Sequence, residues 1–214
     1  MKVTKFFIIA AIAGAMLTGC SKNNGDEPKD PSVYDEGVVI NGVKWATRNV
    51  GAFGKFAAAP ESSGMFYQWN RKVAYPATGD VSEIWDDSSP NSNWDVANDP
   101  SPLGWHVPTK TDFDKLLDVS KVDFAWTTEN GVFGGLFTDK ISYNSIFLPA
   151  AGMRHCEDLG TDVTGVGEVG CYWSSSTDGY RAIHLNFYLS DVLNIMYDNY
   201  AYGFSIRPVK NNPL

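Results

Sequence analysis

The sequence predicts one α+β domain made mostly of strands and long loops, and three observations predict it. Residues Ile183 to Ser190 alternate apolar and polar side chains, the period of a half-buried strand. Asn41-Gly42 separates two short Val-rich runs, as the turn of a tight hairpin does. The clearest helix start follows Pro108, where a capping pattern precedes an apolar stripe.

The composition supports a folded domain and narrows its partners. Of 214 residues, 43% are apolar and 20% charged, which excludes a disordered or collagen-like chain. Aromatics reach 14%, enough to fill a core and spare rings for a surface. There are 17 basic and 25 acidic residues, a formal charge of −8. That balance argues against a nucleic-acid groove, which needs basic residues facing phosphates. It also argues against docking on an anionic membrane through a polybasic patch.

The chain opens on an address. Lys2 and Lys5 precede an uncharged, mostly apolar run from Phe6 to Leu17. The run is too short to span a bilayer as a helix and reads as a secretory signal, residues 1–19. It ends in Leu17-Thr18-Gly19-Cys20, which resembles a bacterial lipoprotein box with Cys20 as the lipidated mature N-terminus. Lipid on Cys20 would then be the membrane anchor. Residues 20–32 are polar, with Gly and Pro, and read as a flexible tether. Acidic residues soon after the lipidated Cys, here Asp26-Glu27, resemble surface-export signals of Bacteroidetes lipoproteins. The expected location is the outer membrane, facing out of the cell.

Residues 33–214 read as one domain, with no second linker. Val38-Val39-Ile40 and Val43-Lys44-Trp45 flank the Asn41-Gly42 turn, and Asn130-Gly131 marks a second. Residues 78–102, rich in Asp, Asn, Ser and Pro, read as a long irregular loop. Thr109 and Asp112 can cap a helix whose stripe is Phe113, Leu116 and Leu117. In the late strand, Ile183, Leu185, Phe187 and Leu189 should face the core. His184, Asn186, Tyr188 and Ser190 should face solvent. The tail beyond is thick with Tyr, Asn, Ser and Asp, the types favoured in paratopes for rigid area and adaptable hydrogen bonds.

Five ordered blocks carry a family resemblance. They are residues 39–50 (VINGVKWATRNV), 104–109 (GWHVPT), 148–152 (LPAAG), 172–176 (YWSSS) and 203–209 (GFSIRPV). In this order the chain resembles the Fibrobacter succinogenes major paralogous domain, common in Bacteroidetes lipoproteins, from about residue 37 to 210. The resemblance implies a C-type-lectin-like fold with two short helices, irregular antiparallel sheets and long loops. Some such domains are targets of diversity-generating retroelements, which vary surface codons near the gene's end. Tyr180, His184, Asn186, Tyr188, Ser190, Asp191, Asn194, Tyr197, Asp198, Asn199 and Tyr200 lie where variable, ligand-contacting positions would then be expected. The Trp-Pro-Thr block also resembles the formylglycine-generating enzyme family. That family's reactive cysteine pair is not matched by Cys156 and Cys171, so its activity is not carried over.

The same residues carry few catalytic or metal signatures. His106, His155 and His184 are the only histidines, and none sits at metal-ligand spacing. His155-Cys156-Glu157 gathers ligand types, but neighbouring strand residues point to opposite faces. Ser174 to Ser176 lacks a nucleophile elbow and suits backbone hydrogen bonds. No cofactor is expected. The acidic loop holding Asp86, Asp87, Asn91, Asn93, Asp95, Asn98 and Asp99 offers oxygen ligands for calcium, without EF-hand spacing. Asx-turns use the same residues more simply. After export, Cys156 and Cys171 remain as a natural disulfide pair, worth about 3 kcal/mol on the chain-entropy model, with two buried thiols as the alternative.

The sequence therefore leads to a non-enzymatic, lipid-anchored surface binding protein or adhesin. It would recognise an extracellular protein or glycan through an aromatic and polar face near the C-terminus. A pilus-associated or envelope subunit that docks a partner protein is the alternative, and a formylglycine-generating-type enzyme the third.

Overall fold

The computed structural model describes residues 29–81, 85–86, 88, 90, 93–189 and 193–210. The signal segment, Cys20, Asp87, Asn91, Ser190 and Asp191 lie outside the described residues. In chain order the elements are β1 (Val38–Ile40), β2 (Val43–Trp45), β3 (Met65–Gln68), β4 (Ala74–Pro76), α1 (Lys110–Leu116), β5 (Val122–Glu129), β6 (Val132–Asp139) and β7 (Ser145–Pro149). Then follow β8 (Met153–Arg154), β9 (Val163–Thr164), β10 (Val169–Thr177), β11 (Ala182–Tyr188), β12 (Leu193–Asp198), β13 (Gly203–Phe204) and β14 (Val209–Lys210). The strands form four sheets whose ladders are all antiparallel: β1-β2-β14, β10-β11-β12, β4-β3-β13-β8-β9 and β5-β6-β7.

This architecture corrects the α+β expectation. Among the described residues there is one α-helix, and the protein is mostly strand. Two short helices were expected, and the only other helical piece described is a 3₁₀ turn at Val96–Asn98, capped by the Asp95 carboxylate. The reason lies in the sequence. Only α1 combines a capping box with a buried stripe: the Thr109 hydroxyl and the Asp112 carboxylate each satisfy the other's backbone N–H. Phe113 and Leu116 are buried, each stabilising the fold by about 1.5–3 kcal/mol.

Both expected turns are present. Asn41 and Gly42 take φ of 43° and 78°, and Asn130 and Gly131 take 48° and 83°. Only residues that tolerate positive φ close two-residue hairpins of this hand. The β1–β2 turn is locked from outside: Asp139 at the end of β6 accepts the Asn41 N–H at 2.7 Å. Asp139 also accepts the Ile141 and Ser142 N–H groups. These donors hold its carboxyl at about 2, well below the usual carboxylate range. Near the N-terminus, docking begins inside the stretch read as tether. The Phe56 N–H donates to the Ser32 carbonyl, and buried Asp35 pairs with Arg48 at 3.1 Å.

The β10-β11-β12 sheet sits between two apolar clusters. Tyr172, Leu185 and Phe187 pack with α1 and Phe137 on one face. Cys171, Trp173 and Ala182 pack with Tyr67, Trp69 and Phe204 on the other. Two fully buried arginines tie loops to this frame. Arg154 donates to the carbonyls of Pro76, Gly79, Gly160 and Thr161. Arg207 donates to Asn49 Oδ1 and to the carbonyls of Ala46, Pro60 and Phe147. Burial lowers the pKa of both guanidiniums.

Candidate binding face

Of the eleven residues expected to form one contact face, the nine among the described residues separate into three groups. The first is buried. His184 and Asn186 were expected on the solvent side of β11, but Ala182 to Phe187 are all buried. The alternation is real, because Leu185 and Phe187 face one cluster while His184 and Asn186 face away from it. What differs is the second face, which Trp173 and Phe204 cover. The His184 ring lies edge-on to Trp173 at 5.7 Å and 4.6 Å from Phe204. Its Nε2 is 2.8 Å from Asp198 Oδ2, so Asp198 serves as an anchor for a buried ring. Asn186 Nδ2 donates to Cys171 Sγ at 3.5 Å. Tyr200 is buried too, at 6% exposure. Its ring packs on Trp69 at 4.9 Å and its hydroxyl lies 3.0 Å from Thr177 Oγ1.

The second group lies at the far end of the sheet. Tyr188 closes β11, and Asn194 stands opposite Asn186 on the edge strand β12. Both are exposed, and the neighbouring Ser190 and Asp191 lie outside the described residues.

The third group forms a corner at the other end of the same strands, about 20 Å from Tyr188 at strand rise. Tyr180 is 87% exposed on the loop between β10 and β11. The loop is held by short bonds: Asp178 Oδ1 accepts the N–H groups of Tyr180 at 2.9 Å and Arg181 at 2.7 Å. Those donors lower the Asp178 pKa. Thr177 Oγ1 donates to the Arg181 carbonyl and accepts the Gly179 N–H. The Arg181 guanidinium lies 5.3 Å from the Tyr197 ring centroid, and Tyr197 stands opposite Ile183. Asn199 follows, exposed, its side chain accepting the Ala201 N–H. Arg181 itself was missed by sequence reading. Its signal was its place beside Tyr180 in a turn, since arginine and tyrosine are the types that dominate contact surfaces.

Beside this corner runs a cleft of about 570 Å³, lined by residues of the 93–107 loop and the end of β10. Thr177 belongs to both. Ser175 and Ser176 make backbone contacts here: the Ser175 hydroxyl donates to Pro108 O, and Ser176 Oγ accepts the Lys110 N–H. His106 bridges Val209 through its backbone and is among the residues lining the cleft.

The remaining expected sites resolve as follows. Cys156 and Cys171 are free thiols, so the expected disulfide is not formed. Cys171 is buried in β10 against Asn186, while Cys156 is half-buried in the turn after β8. Burial raises both thiol pKa values, Cys171's far above the ordinary range. In the acidic loop, Asp86 accepts from Ser88 and pairs with Arg71 at 2.9 Å. Asp95 accepts the Ala97 N–H, and Asp99 the N–H groups of Ser101 and Val107. The contacts to Ser88, Ala97 and Ser101, two residues on, are Asx-type. Among the described residues, no three His, Cys, Asp or Glu side chains are grouped to hold a metal ion. No helix among them is long and apolar enough to cross a membrane. Compared with protein-family models, curated proteins and solved structures, the chain matches none.

Proposed function

We propose that this protein is a lipid-anchored cell-surface binding protein, and that its contact surface is the corner of Tyr180, Arg181 and Tyr197. The observation that carries the reading is the pairing of exposed rings with a rigid mount. Tyr180 projects from a loop clamped by Asp178 and Thr177, and Tyr197 from a strand backed by the core. Large side chains held this way lose little freedom on binding, so more of their contact energy is retained. The lipoprotein box ending at Cys20 supports the anchor, and the acidic residues behind it support display outside the cell. The mechanism is non-covalent recognition of an extracellular partner.

The test is a binding screen of the full chain against immobilised extracellular proteins and glycans. Tyr180→Ala/Tyr197→Ala should weaken the captured interaction at least tenfold, with the melting temperature unchanged. Tyr188→Ala, at the far end, should leave it intact. Loss with Tyr188→Ala and retention with the double variant would overturn the proposal.

A further inference from the structure

Beside the tyrosine corner, the cleft between the 93–107 loop and the end of β10 has a chemistry of its own. Its volume of about 570 Å³ falls within the range of about 300–1,000 Å³ usual for small-molecule sites. Its apolar wall is Trp94, Val96 and Val107. Trp94 is braced edge-on against Trp69 at 5.2 Å, and Trp69 rests on Tyr200, so the indole is a fixed platform.

The polar wall is partly unspent. Among the described residues the His106 ring has no hydrogen-bond partner, and neither has the Asn93 side-chain amide. The Ser176 hydroxyl accepts the Lys110 N–H and keeps its own proton to donate. The Ser175 hydroxyl donates to Pro108 O and keeps lone pairs to accept. Among the described residues no lysine or arginine lines the cleft, which disfavours an anion. Among the described lining residues Asp99 is the one carboxylate, and both its oxygens already accept backbone N–H groups.

We infer that this cleft binds a neutral, hydroxyl-rich small molecule, a mono- or disaccharide unit. The apolar face of the sugar would stack on Trp94, and its hydroxyls would meet His106, Asn93, Ser175 and Ser176. Such a ligand needs both donors and acceptors without net charge, which is what the free valences supply. The inference stands on the cleft and does not require that the Tyr180 corner bind anything.

The experiment is saturation-transfer NMR of the full chain with glucose, galactose, mannose and N-acetylglucosamine, alongside an array of neutral oligosaccharides. Titration calorimetry then follows the best binder. His106→Ala/Asn93→Ala should weaken that sugar about 10- to 100-fold, two neutral hydrogen bonds' worth, while the backbone bridge at His106 keeps the fold. Trp94→Ala should abolish binding where the variant stays folded. Tyr180→Ala/Tyr197→Ala should leave sugar binding intact. No transfer to any of these sugars would overturn the inference. So would sugar binding that survives the His106/Asn93 changes but is lost with the tyrosines.

Discussion

Replacing Arg207 by lysine should destabilise this protein more than any conservative surface change. The guanidinium is fully buried and spans four acceptors on separate segments: Asn49 Oδ1 at 2.8 Å, Phe147 O at 3.0 Å, Ala46 O at 3.2 Å and Pro60 O at 3.4 Å. A lysine ammonium offers its donors from one point and cannot reach acceptors arranged around a planar fork. About two charge-assisted bonds are lost, at about 1.5–3 kcal/mol each, giving a cost of about 3–6 kcal/mol. Whole-domain stability is about 5–15 kcal/mol. For a domain of this size each kcal/mol shifts the melting temperature by about 2–4 °C, so a fall of roughly 6–24 °C is expected. Near-ultraviolet circular dichroism during a thermal ramp measures it, with urea titration as the equilibrium check. A fall below about 3 °C would refute the reasoning. It would mean that the four carbonyl and amide acceptors find water, and that Arg207 does not fasten the β2 and β7 segments together.

Three further predictions follow from the same contacts. His184→Ala should cost about 2–4 kcal/mol, because it empties a site between Trp173 and Phe204 and strips Asp198 of its partner; Tyr180→Ala should stay within about 0.5 kcal/mol of the parent, and chemical denaturation separates the two. The Asp139 carboxyl is held at about 2 by the N–H groups of Ser142, Asn41 and Ile141, below its ordinary value of 3.8. Because the folded pKa is the depressed one, its stabilisation is present above about pH 4 and is lost as pH falls toward 2. Asp139→Ala should therefore flatten the stability profile between pH 4 and 2, and an unchanged profile would reject the lock. Intact mass after alkylation should show Cys156 modified in the native protein and Cys171 only after unfolding; one disulfide in the unreduced protein would contradict the two free thiols.

What the sequence made legible was local. Asn41-Gly42, Asn130-Gly131 and the Thr109–Asp112 capping box act through the backbone within a few residues, so their chemistry identifies them directly. The alternation of residues 183–190 assigned side chains to opposite faces of β11 but could not say what lies over each face. Phe204, far along the chain, covers His184, and Trp173 reaches it from the neighbouring strand. A polar residue under such a cover has the same sequence pattern as one in water. Tyr200 is the same case: its partner Trp69 arrives from the β3 region, and no local period announces it. The expectation of a second helix came from resemblance, and no capping pattern with an apolar stripe stood behind it in the residues. Arg154 and Arg207 were not singled out, because carbonyl acceptors leave no signature in side-chain types. The corner of Tyr180 and Tyr197 was half-visible. Composition marked the tyrosines, and the loop geometry selected which of them stay exposed.

The central claim is that the Tyr180 corner faces the outside of the cell. A Tyr180→Cys variant, labelled on intact cells with a maleimide coupled to a polymer too large for outer-membrane pores, tests it most directly. Tyr180 is 87% exposed, while Cys171 is buried and Cys156 half-buried, so the parent protein supplies the background. Intact cells should label as fully as lysed ones, well above that background. Labelling only after the outer membrane is broken would place the corner inside the envelope and contradict the surface-binding account.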